Sequence, residues 1–437
     1  MIRCTHIASQ NQNCRSITEE VTILSDQGGQ SRNRKMQQRH LLNPIPRLLL
    51  LCLLLVACSQ TTAEPDTSTD TNTASDTHSD SNGTEDAVED TSPADDLPAL
   101  SALNPGWNEL WAGGETNCSR GSPYAFYVRP GTVPKVILNF EGGGACWNRG
   151  TCSVADAIFK DSVQEDHEAF LAGYVAGLLD HEHPDHPMAD WHHIYIPYCT
   201  GDVHTGSAVV EYGDGDTAFT IRHQGAINVR RILDWLQTNY AEVEAFFMTG
   251  CSAGSYGSIY WSPHIAQMYP DARLVQFGDS GCGVITATFL EDSFPVWNAT
   301  ANMPTWIEGL DPATVNITDL TLTDLYIRTA EHLPNQLFSQ FTTLFDENQG
   351  FYYDAMGGGN IGEWSELMLS SLQSISESAE NFRRYIAPGE NHCIIPYNEV
   401  FTLEVEGVLL RDWIQNLTNE VPVSDVLCAE CQTSPEP

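Results

Sequence analysis

The sequence predicts an α/β protein with a mainly parallel sheet and helices on both faces. Short apolar segments bounded by turn residues alternate with stretches of helical periodicity along the chain, and this alternation is typical of parallel sheets. Hydrophobic residues make up 41% and aromatic residues 9% of the 437 residues. The chain can therefore bury a large core, which excludes a wholly disordered protein.

The predicted elements follow one another in chain order. Strands are expected at 136–140, 193–197, 243–249, 273–277, 338–345 and 382–387. Helical periodicity covers 219–236, 252–268 and, as a closing amphipathic helix, 404–417. Short apolar runs favour buried strands, whereas longer runs of period 3.6 favour helices.

The net charge excludes two classes of partner. Asp and Glu outnumber Lys and Arg by 58 to 20, which gives a formal net charge of −38. Residues 97–437 alone hold 13 basic and 44 acidic residues, a net charge of −31. Nucleic acids and anionic membrane surfaces require a basic face, so we exclude both as binding partners. A surface this acidic suggests adaptation to a saline environment.

Residues 36–57 have the pattern of a secretory signal. Arg39 and Arg47 precede an apolar run over 48–57, and that run is too short to span a bilayer comfortably. A buried helix is the alternative interpretation, which the basic flanks disfavour.

The signal ends in a sequence that resembles a bacterial lipobox. Residues 55–58 read Leu-Val-Ala-Cys, which implies that Cys58 is lipidated and becomes the mature N-terminus. Residues 1–35 lack apolar periodicity and would place the signal inside the chain. We interpret them as a mis-assigned leader and expect translation to begin at Met36. The protein is then exported and contacts a membrane through its lipid anchor only.

Residues 58–96 are interpreted as a disordered acidic tether. They are rich in Ser, Thr and Asp and contain no Lys or Arg, so they cannot bury enough surface to offset their ordering entropy. We expect one folded domain over 97–437, acting as a monomer.

Nine cysteines fall within 97–437. Export favours disulfides, and an odd number leaves at least one thiol unpaired. Cys146 and Cys152 are close enough in sequence to staple one loop. Cys428 and Cys431 are expected to be structural, because a zinc site needs further ligands at matching spacing.

Residues 250–254 read Gly-Cys-Ser-Ala-Gly and match the pattern G-x-S-x-G. A predicted strand precedes them and a predicted helix follows. In that context the glycines permit a strained turn that projects the hydroxyl of Ser252, and the helix N-terminus favours developing negative charge. We predict Ser252 as a nucleophile; a structural glycine turn is the alternative.

A serine nucleophile needs a histidine base. In α/β-hydrolases the partners follow the serine in the order acid, then histidine. His392 comes directly after the predicted strand 382–387, whereas His264 and His332 fall within helical patterns. We therefore predict His392 as the base.

The acid that orients this base is less sharply defined by the sequence. Asp346 follows directly on the predicted strand 338–345, where ligands bind in parallel sheets. We predict Asp346, with Asp354 and Asp279 as competing candidates.

Backbone donors for an oxyanion are predicted in a second glycine cluster. Residues 141–146 read Glu-Gly-Gly-Gly-Ala-Cys and follow the predicted strand 136–140. Hydrolases place a Gly-rich loop at this point, and its N–H groups hold the oxyanion. Gly143, Gly144 and Ala253 are the predicted donors; a simple tight turn is the alternative.

Three motifs resemble the pectin acetylesterase and Notum family, an α/β-hydrolase-like group of carboxylesterases. They are FEGGGACWNRGTC at 140–152, TGCSAGSYGS at 249–258 and FGDSGCG at 277–283. The resemblance spans most of 100–420 and implies an esterase with Ser252, Asp346 and His392 as its triad and Gly143, Gly144 and Ala253 as oxyanion donors. It also implies a Cys146–Cys152 disulfide.

Other motifs are weaker. Residues 278–281 read GDSG, as in serine proteases, but the rest of that family's pattern is missing. The histidines of 181–186 and 192–193 are expected in a solvated loop rather than a metal site, because proline interrupts the helix that would orient them. Residues 356–359 lack the Lys and Ser/Thr of a P-loop and predict a turn.

Taken together, the sequence predicts a lipid-anchored serine esterase that removes an acyl group, expected to be acetyl, from a carbohydrate without metal or organic cofactor. Two alternatives remain: a lipid-type or protein-deacylating carboxylesterase, and a non-catalytic glycan-binding lipoprotein using Trp107, Trp111 and Trp147. The acidic domain disfavours deacetylated pectin, a polyanion, as its ligand.

Overall fold

The computed structural model describes residues 97–155, 157–428 and 431. The predicted leader, signal peptide, lipidation site Cys58 and tether lie outside these residues. Within them, no helix has the length and apolar character needed to cross a membrane.

The strands in chain order are β1 (Asn108–Trp111), β2 (Ala125–Arg129), β3 (Lys135–Phe140), β4 (His192–Ile196), β5 (Ala208–Tyr212), β6 (Phe219–His223), β7 (Ala245–Cys251), β8 (Arg273–Asp279), β9 (Leu337–Thr343), β10 (Phe382–Ala387), β11 (Glu404–Val405), β12 (Val408–Leu409) and β13 (Val426–Leu427). The α-helices are α1 (Arg149–Cys152), α2 (Gln164–Ala172), α3 (Gly225–Asn239), α4 (Ala253–Met268), α5 (Ala287–Trp297), α6 (Leu322–His332), α7 (Glu347–Ala355), α8 (Ile361–Ser378) and α9 (Leu410–Thr418).

One large sheet dominates the fold, with strand order β1-β2-β4-β3-β7-β8-β9-β10-β13. Every pairing from β4 to β13 is parallel. Only β1 and β2, at one edge, pair in antiparallel fashion. The crossovers place helices on both faces of the sheet, so the predicted α/β class is confirmed.

Alternate side chains of the central strands pack into two separate cores. On β3, Val136 and Leu138 join the core that α3 and α4 cover, whereas Ile137 joins the core that α9 covers. Both faces of the sheet are thus apolar, as parallel sheets require. The continuous apolar runs in the sequence reflect this double burial.

Two predicted helices are shorter than expected. The segment 219–236 divides into strand β6, which pairs with β5 in an antiparallel hairpin, and helix α3. The segment 404–417 begins with the hairpin β11–β12, whose turn residues Glu406 and Gly407 both have positive φ. Such a turn is typical of two-residue hairpins, and α9 starts only at Leu410.

The expectation of a solvated histidine loop is wrong. His181, His186 and His193 are 6%, 7% and 0% exposed. His181 Nε2 lies 2.8 Å from His193 Nδ1, and His181 Nδ1 lies 3.1 Å from a backbone carbonyl. Burial lowers the pKa of His181 to about 3. The three rings are buried neutral groups whose polar atoms find partners mainly within the protein, a possibility that composition alone does not reveal.

Four disulfides link the described cysteines: Cys118–Cys199, Cys146–Cys152, Cys251–Cys393 and Cys428–Cys431. The pair Cys146–Cys152 is the one that the family resemblance implies. Cys282 is the free cysteine among the described residues, and it is buried. This set of disulfides fits an extracellular protein.

Candidate active site

The predicted catalytic residues lie on loops at one edge of the sheet. Gly143 and Gly144 follow β3, Ser252 follows β7, Asp346 follows β9 and His392 follows β10. These strands run parallel, so their carboxyl ends meet at the same edge, where ligands bind in open α/β sheets. The fold therefore brings together residues that are far apart in sequence.

Ser252 occupies a strained turn between β7 and α4. Its φ is 56° and its ψ is −119°, a conformation that is unfavourable for a residue with a Cβ. Gly250 and Gly254 make the turn possible: a Cβ on Gly254 would collide with the carbonyl oxygen of Phe140, and one on Gly250 with that of Gly254. The sequence thus places Ser252 at the N-terminus of a 16-residue helix, where the helix dipole favours negative charge.

Asp346 and His392 are in direct contact. His392 Nδ1 lies 2.9 Å from both carboxylate oxygens of Asp346. The Asp346 carboxylate is fully buried and also accepts hydrogen bonds from the backbone N–H groups of Asn348 and Gln349 and from the Gln349 amide. Because the carboxylate oxygens accept, Nδ1 carries the proton and Nε2 is left as the basic nitrogen.

The two competing acids occupy different environments. Asp354 is exposed on α7. Asp279 is fully buried, and its Oδ2 accepts hydrogen bonds from the backbone N–H groups of Ile394 and Ile395 at 2.7 and 2.9 Å. Burial raises the pKa of Asp279 to about 7, against the effect of these donors. Of the three candidates, Asp346 is the one hydrogen-bonded to the imidazole of His392.

A partly buried ion-pair network supports the glycine cluster. Lys160 Nζ lies 2.6 Å from Glu141 Oε1 and 2.5 Å from Asp166 Oδ2. Lys160 N–H donates to the carbonyl of Gly143 at 2.8 Å, and Glu141 Oε2 accepts from the N–H of Tyr198 at 2.7 Å. Burial and the charge of Glu141 raise the pKa of Asp166, and the ammonium of Lys160 acts against them. These contacts fix the start of the loop that carries the predicted oxyanion donors.

Two adjoining pockets share Ser252 and His392 as lining residues. One includes Gly144 and Ala253 and is lined mainly by apolar side chains, among them Val203, Val284, Ile285, Phe289 and Phe294. The other is more polar and includes Gly143, Lys160 and Asn348. A serine between an apolar and a polar compartment suits a substrate that is apolar on one side of the reacting bond.

Two groups of side chains bring three potential metal ligands within 4.8 Å of one another: Cys146, Cys152 and His223, and Cys251, His392 and Cys393. In each group the two cysteines are bonded to each other. Metal coordination by cysteine requires a thiolate, so neither group is a metal site in this oxidised protein.

The similarity to known proteins covers part of this candidate site. The model of the pectinacetylesterase family matches residues 112–291, which include the glycine cluster and Ser252. Two relatives are each 27% identical: the palmitoleoyl-protein carboxylesterase NOTUM of Schmidtea mediterranea over 146 residues, and pectin acetylesterase 5 of Arabidopsis thaliana over 148 residues. Residues 112–291 are thus similar to the pectinacetylesterase family, and the two relatives are similar over about a third of this chain. These matches cover 32% and 33% of this chain, and 26% and 33% of the respective relatives.

Solved structures of a Notum protein have a similar fold. Two crystal forms of the Wnt deacylase Notum from Drosophila superpose with TM-scores of 0.55 and 0.53, at 17% and 16% sequence identity. They cover 76% and 75% of this chain and 97% and 96% of the Notum chains. At this identity the likeness concerns the α/β-hydrolase-like fold alone.

Sequence reasoning missed two contacts of the site. Asp279, predicted only as a competing acid, contacts the loop of His392. The disulfide Cys251–Cys393 was also missed, although a signal was present: each cysteine is adjacent to a predicted catalytic residue. If Ser252 and His392 lie close together in the folded protein, Cys251 and Cys393, which are adjacent to them in the sequence, also come close together.

Proposed function

We propose that this protein is a serine carboxylesterase that removes an acetyl or other acyl group from a carbohydrate. Ser252 is the nucleophile, His392 the general base and Asp346 the residue that orients the base. One observation carries the proposal: Ser252, in a strained strand–helix turn, shares a pocket with a histidine whose Nδ1 is hydrogen-bonded to a buried carboxylate. In such an arrangement the histidine, oriented by the carboxylate, removes the proton of the serine and so activates it as a nucleophile.

The reaction proceeds through an acyl-enzyme. Ser252 Oγ attacks the ester carbonyl while His392 Nε2 accepts its proton. The backbone N–H groups of Gly143, Gly144 and Ala253 stabilise the oxyanion. Collapse of the tetrahedral intermediate expels the alcohol, which takes the proton from His392, and water then attacks the acyl-enzyme with the same base. Asp346 holds the Nδ1 proton throughout.

The two pockets support an assignment of the two halves of the substrate. The acyl group enters the apolar pocket, where Val284 and Phe289 provide apolar contacts. The alcohol occupies the more polar pocket, where the exposed amide of Asn348 suits the hydroxyl groups of a sugar.

The charge of the domain bears on the choice of sugar. A net charge of −31 over 97–437 repels polyanions, and only two lysines occur in this range. We therefore propose a neutral acylated carbohydrate as substrate in preference to pectin. We also propose that the enzyme is exported and anchored to the bacterial cell envelope through Cys58 and the tether.

A lipid-type or protein-deacylating esterase is the second candidate, because the pocket beside Ser252 is lined mainly by apolar side chains. Comparing kcat/KM on acetyl and octanoyl p-nitrophenyl esters separates the two candidates. Val284→Trp, which narrows the pocket, lowers turnover of the octanoyl ester and spares the acetyl ester if the acyl group binds there. Of the three tryptophans considered for a pure glycan-binding role, Trp147 is buried and Trp107 packs on His193, which leaves Trp111 as the exposed one.

The proposal is tested with Ser252→Ala in the full chain. We expect p-nitrophenyl acetate turnover to fall by about 10,000-fold or more, with Ser370→Ala, exposed on α8, as a matched control that stays active. Full activity of Ser252→Ala would refute the mechanism. Acetate release from a panel of neutral and acidic acetylated polysaccharides then identifies the sugar.

A further inference from the structure

The loop 389–395, here called the histidine loop, carries His392. We propose that Asp279 and the disulfide Cys251–Cys393 are positioning elements that hold the histidine loop against the turn of Ser252. This inference rests on the proposed function, since it concerns the geometry of the same base and nucleophile. Neither element takes part in proton transfer.

The disulfide joins the immediate neighbours of both groups. Cys251 precedes Ser252 in the chain, Cys393 follows His392, and the two sulfurs are bonded across a sequence separation of 142 residues. A covalent bond one residue from each reacting side chain restricts how far the base can move from the nucleophile. The other disulfides of the described residues do not involve residues adjacent to the triad.

Asp279 links the same two segments without a covalent bond. Its carbonyl oxygen accepts a hydrogen bond from the N–H of Ser252 at 2.8 Å. Its carboxylate accepts from the N–H groups of Ile394 and Ile395 at 2.7 and 2.9 Å. One fully buried residue at the end of β8 therefore contacts both the serine turn and the histidine loop.

Ser280 adds a third contact on the same side. Its Oγ accepts a hydrogen bond from the N–H of Cys393 at 3.0 Å. Three consecutive backbone N–H groups, at 393–395, are thus held by the side chains of Asp279, the last residue of β8, and Ser280, which follows it. Backbone donors buried without a partner are costly, so these acceptors determine the path of the loop.

The other half of the histidine loop is held separately. Residues 343–347, the segment of Asp346, donate hydrogen bonds to carbonyl oxygens within 389–391. His392 therefore lies between two sets of anchors, one on the side of its acid and one on the side of its nucleophile. Asp279 and the disulfide belong to the second set, which determines the distance between base and nucleophile. A misplacement of about 1 Å at a reacting group can cost about 100-fold in rate.

The experiment compares kcat and KM for p-nitrophenyl acetate in four variants of the full chain: Asp279→Ala, Asp279→Asn, the double variant Cys251→Ser/Cys393→Ser, and the control Cys118→Ser/Cys199→Ser. Each is assayed well below its own unfolding temperature. We expect Asp279→Ala to lower kcat by about 100-fold and to change KM by less than about threefold. Asp279→Asn keeps an acceptor oxygen and recovers most of this loss.

The two disulfide variants separate positioning from stability. Their loops span 142 and 81 residues, so loop-closure entropy lowers the unfolding temperature of both. We expect only Cys251→Ser/Cys393→Ser to lower kcat, by about tenfold or more, while the control stays within about twofold of the wild type. Should the double variant fail to fold, the two Asp279 variants decide the question.

The inference is overturned if Asp279→Ala is folded and retains wild-type kcat, if Asp279→Asn is as impaired as Asp279→Ala, or if both folded disulfide variants lose kcat equally. Ser252→Ala, assayed in parallel, separates this outcome from a failure of the proposed function. An active Ser252→Ala refutes the mechanism itself, whereas an inactive one beside fully active positioning variants refutes only the positioning role.

Discussion

His392 and Asp346 form the closest link between two residues of the predicted triad: Nδ1 of the imidazole lies 2.9 Å from each carboxylate oxygen. The residues come from the loops after neighbouring parallel strands, β10 and β9. Their contact sets the tautomer of His392 and leaves Nε2 free to accept a proton.

This contact predicts the effect of Asp346→Asn. Asparagine retains an oxygen for the helix-capping bonds to Asn348 and Gln349, so the fold is expected to survive. Its amide stabilises the wrong tautomer of the base, which should lower kcat by about 10,000-fold. Steady-state kinetics with Asp354→Asn as the exposed control checks this. Normal turnover by Asp346→Asn, or a comparable loss in Asp354→Asn, would show that another acid orients His392.

The ion-pair network under the glycine cluster predicts a stability effect. Lys160→Met leaves the partly buried Glu141 and the buried Asp166 without their cation, and the loss should be about 3 kcal/mol, near the lower end for breaking a buried pair. Urea denaturation measures the change. Lys135→Met is the matched control, because Lys135 lies over the ring of Trp191 at 5.4 Å and such a contact contributes only about 1 kcal/mol. Equal losses of unfolding free energy in both variants would show that the ion pairs of Lys160 do not stabilise the fold more than the contact of Lys135 with Trp191 does.

The buried histidines predict acid sensitivity. Burial lowers the pKa of His181 to about 3, so the unfolded chain binds a proton there below about pH 6.5 while the folded protein does not. The stability contributed by the neutral ring is present above about pH 6.5 and is lost as the pH falls toward 3. At about pH 4.5 the unfolding free energy lost in this way is roughly 2–3 kcal/mol.

The corresponding measurement is the difference in unfolding free energy between about pH 7.5 and 4.5 for the wild type and His181→Gln. The variant should show the smaller loss on acidification. The variant is needed because two other groups change the unfolding free energy over the same pH range. The pKa values of Asp202 and Asp279 are raised to about 6 and 7, so these carboxyl groups stabilise the folded protein as the pH falls. An identical pH dependence in both proteins would show that His181 does not remain neutral.

Cys282 predicts a pattern of thiol reactivity. Burial raises the pKa of its thiol to about 12, and only the thiolate reacts readily with alkylating agents. We expect iodoacetamide to leave Cys282 unmodified in the native protein and to modify it after unfolding, as judged by peptide mass spectrometry. Rapid alkylation of Cys282 in the native protein would contradict its buried position.

The parts of the fold that depend on local pattern were predictable from the sequence. The apolar runs that became β3, β8 and β10 lie where expected, because strands buried on both faces leave a continuous apolar signature. The segment 219–236 was mispredicted in part: its first residues, Phe219–His223, acquire their partner only when β5 folds onto them. Pairing of this kind is a tertiary effect that outweighs local periodicity.

In the candidate site, too, only the features that depend on local sequence were predictable. Ser252 was predictable because the glycine-flanked turn between strand and helix is formed by a few consecutive residues. Asp346 was ambiguous against Asp354 and Asp279, because burial and hydrogen bonding distinguish the three only in the folded chain. The histidines at 181, 186 and 193 were expected in solvent because polar side chains are exposed unless they find partners. The partners of His181 and His186 lie nearby in the sequence, within 178–193, but only the folded segment brings them into contact.

The central claim is that Ser252 is the nucleophile activated by His392. The most direct test is to label the full-length protein with a fluorophosphonate and locate the adduct by peptide mass spectrometry, in the wild type and in His392→Ala. We expect the wild type to form a single adduct on Ser252. In His392→Ala, formation of this adduct should be abolished or strongly slowed, and ester turnover should be lost. An adduct on another serine such as Ser280, or full esterase activity without labelling of Ser252, would contradict it.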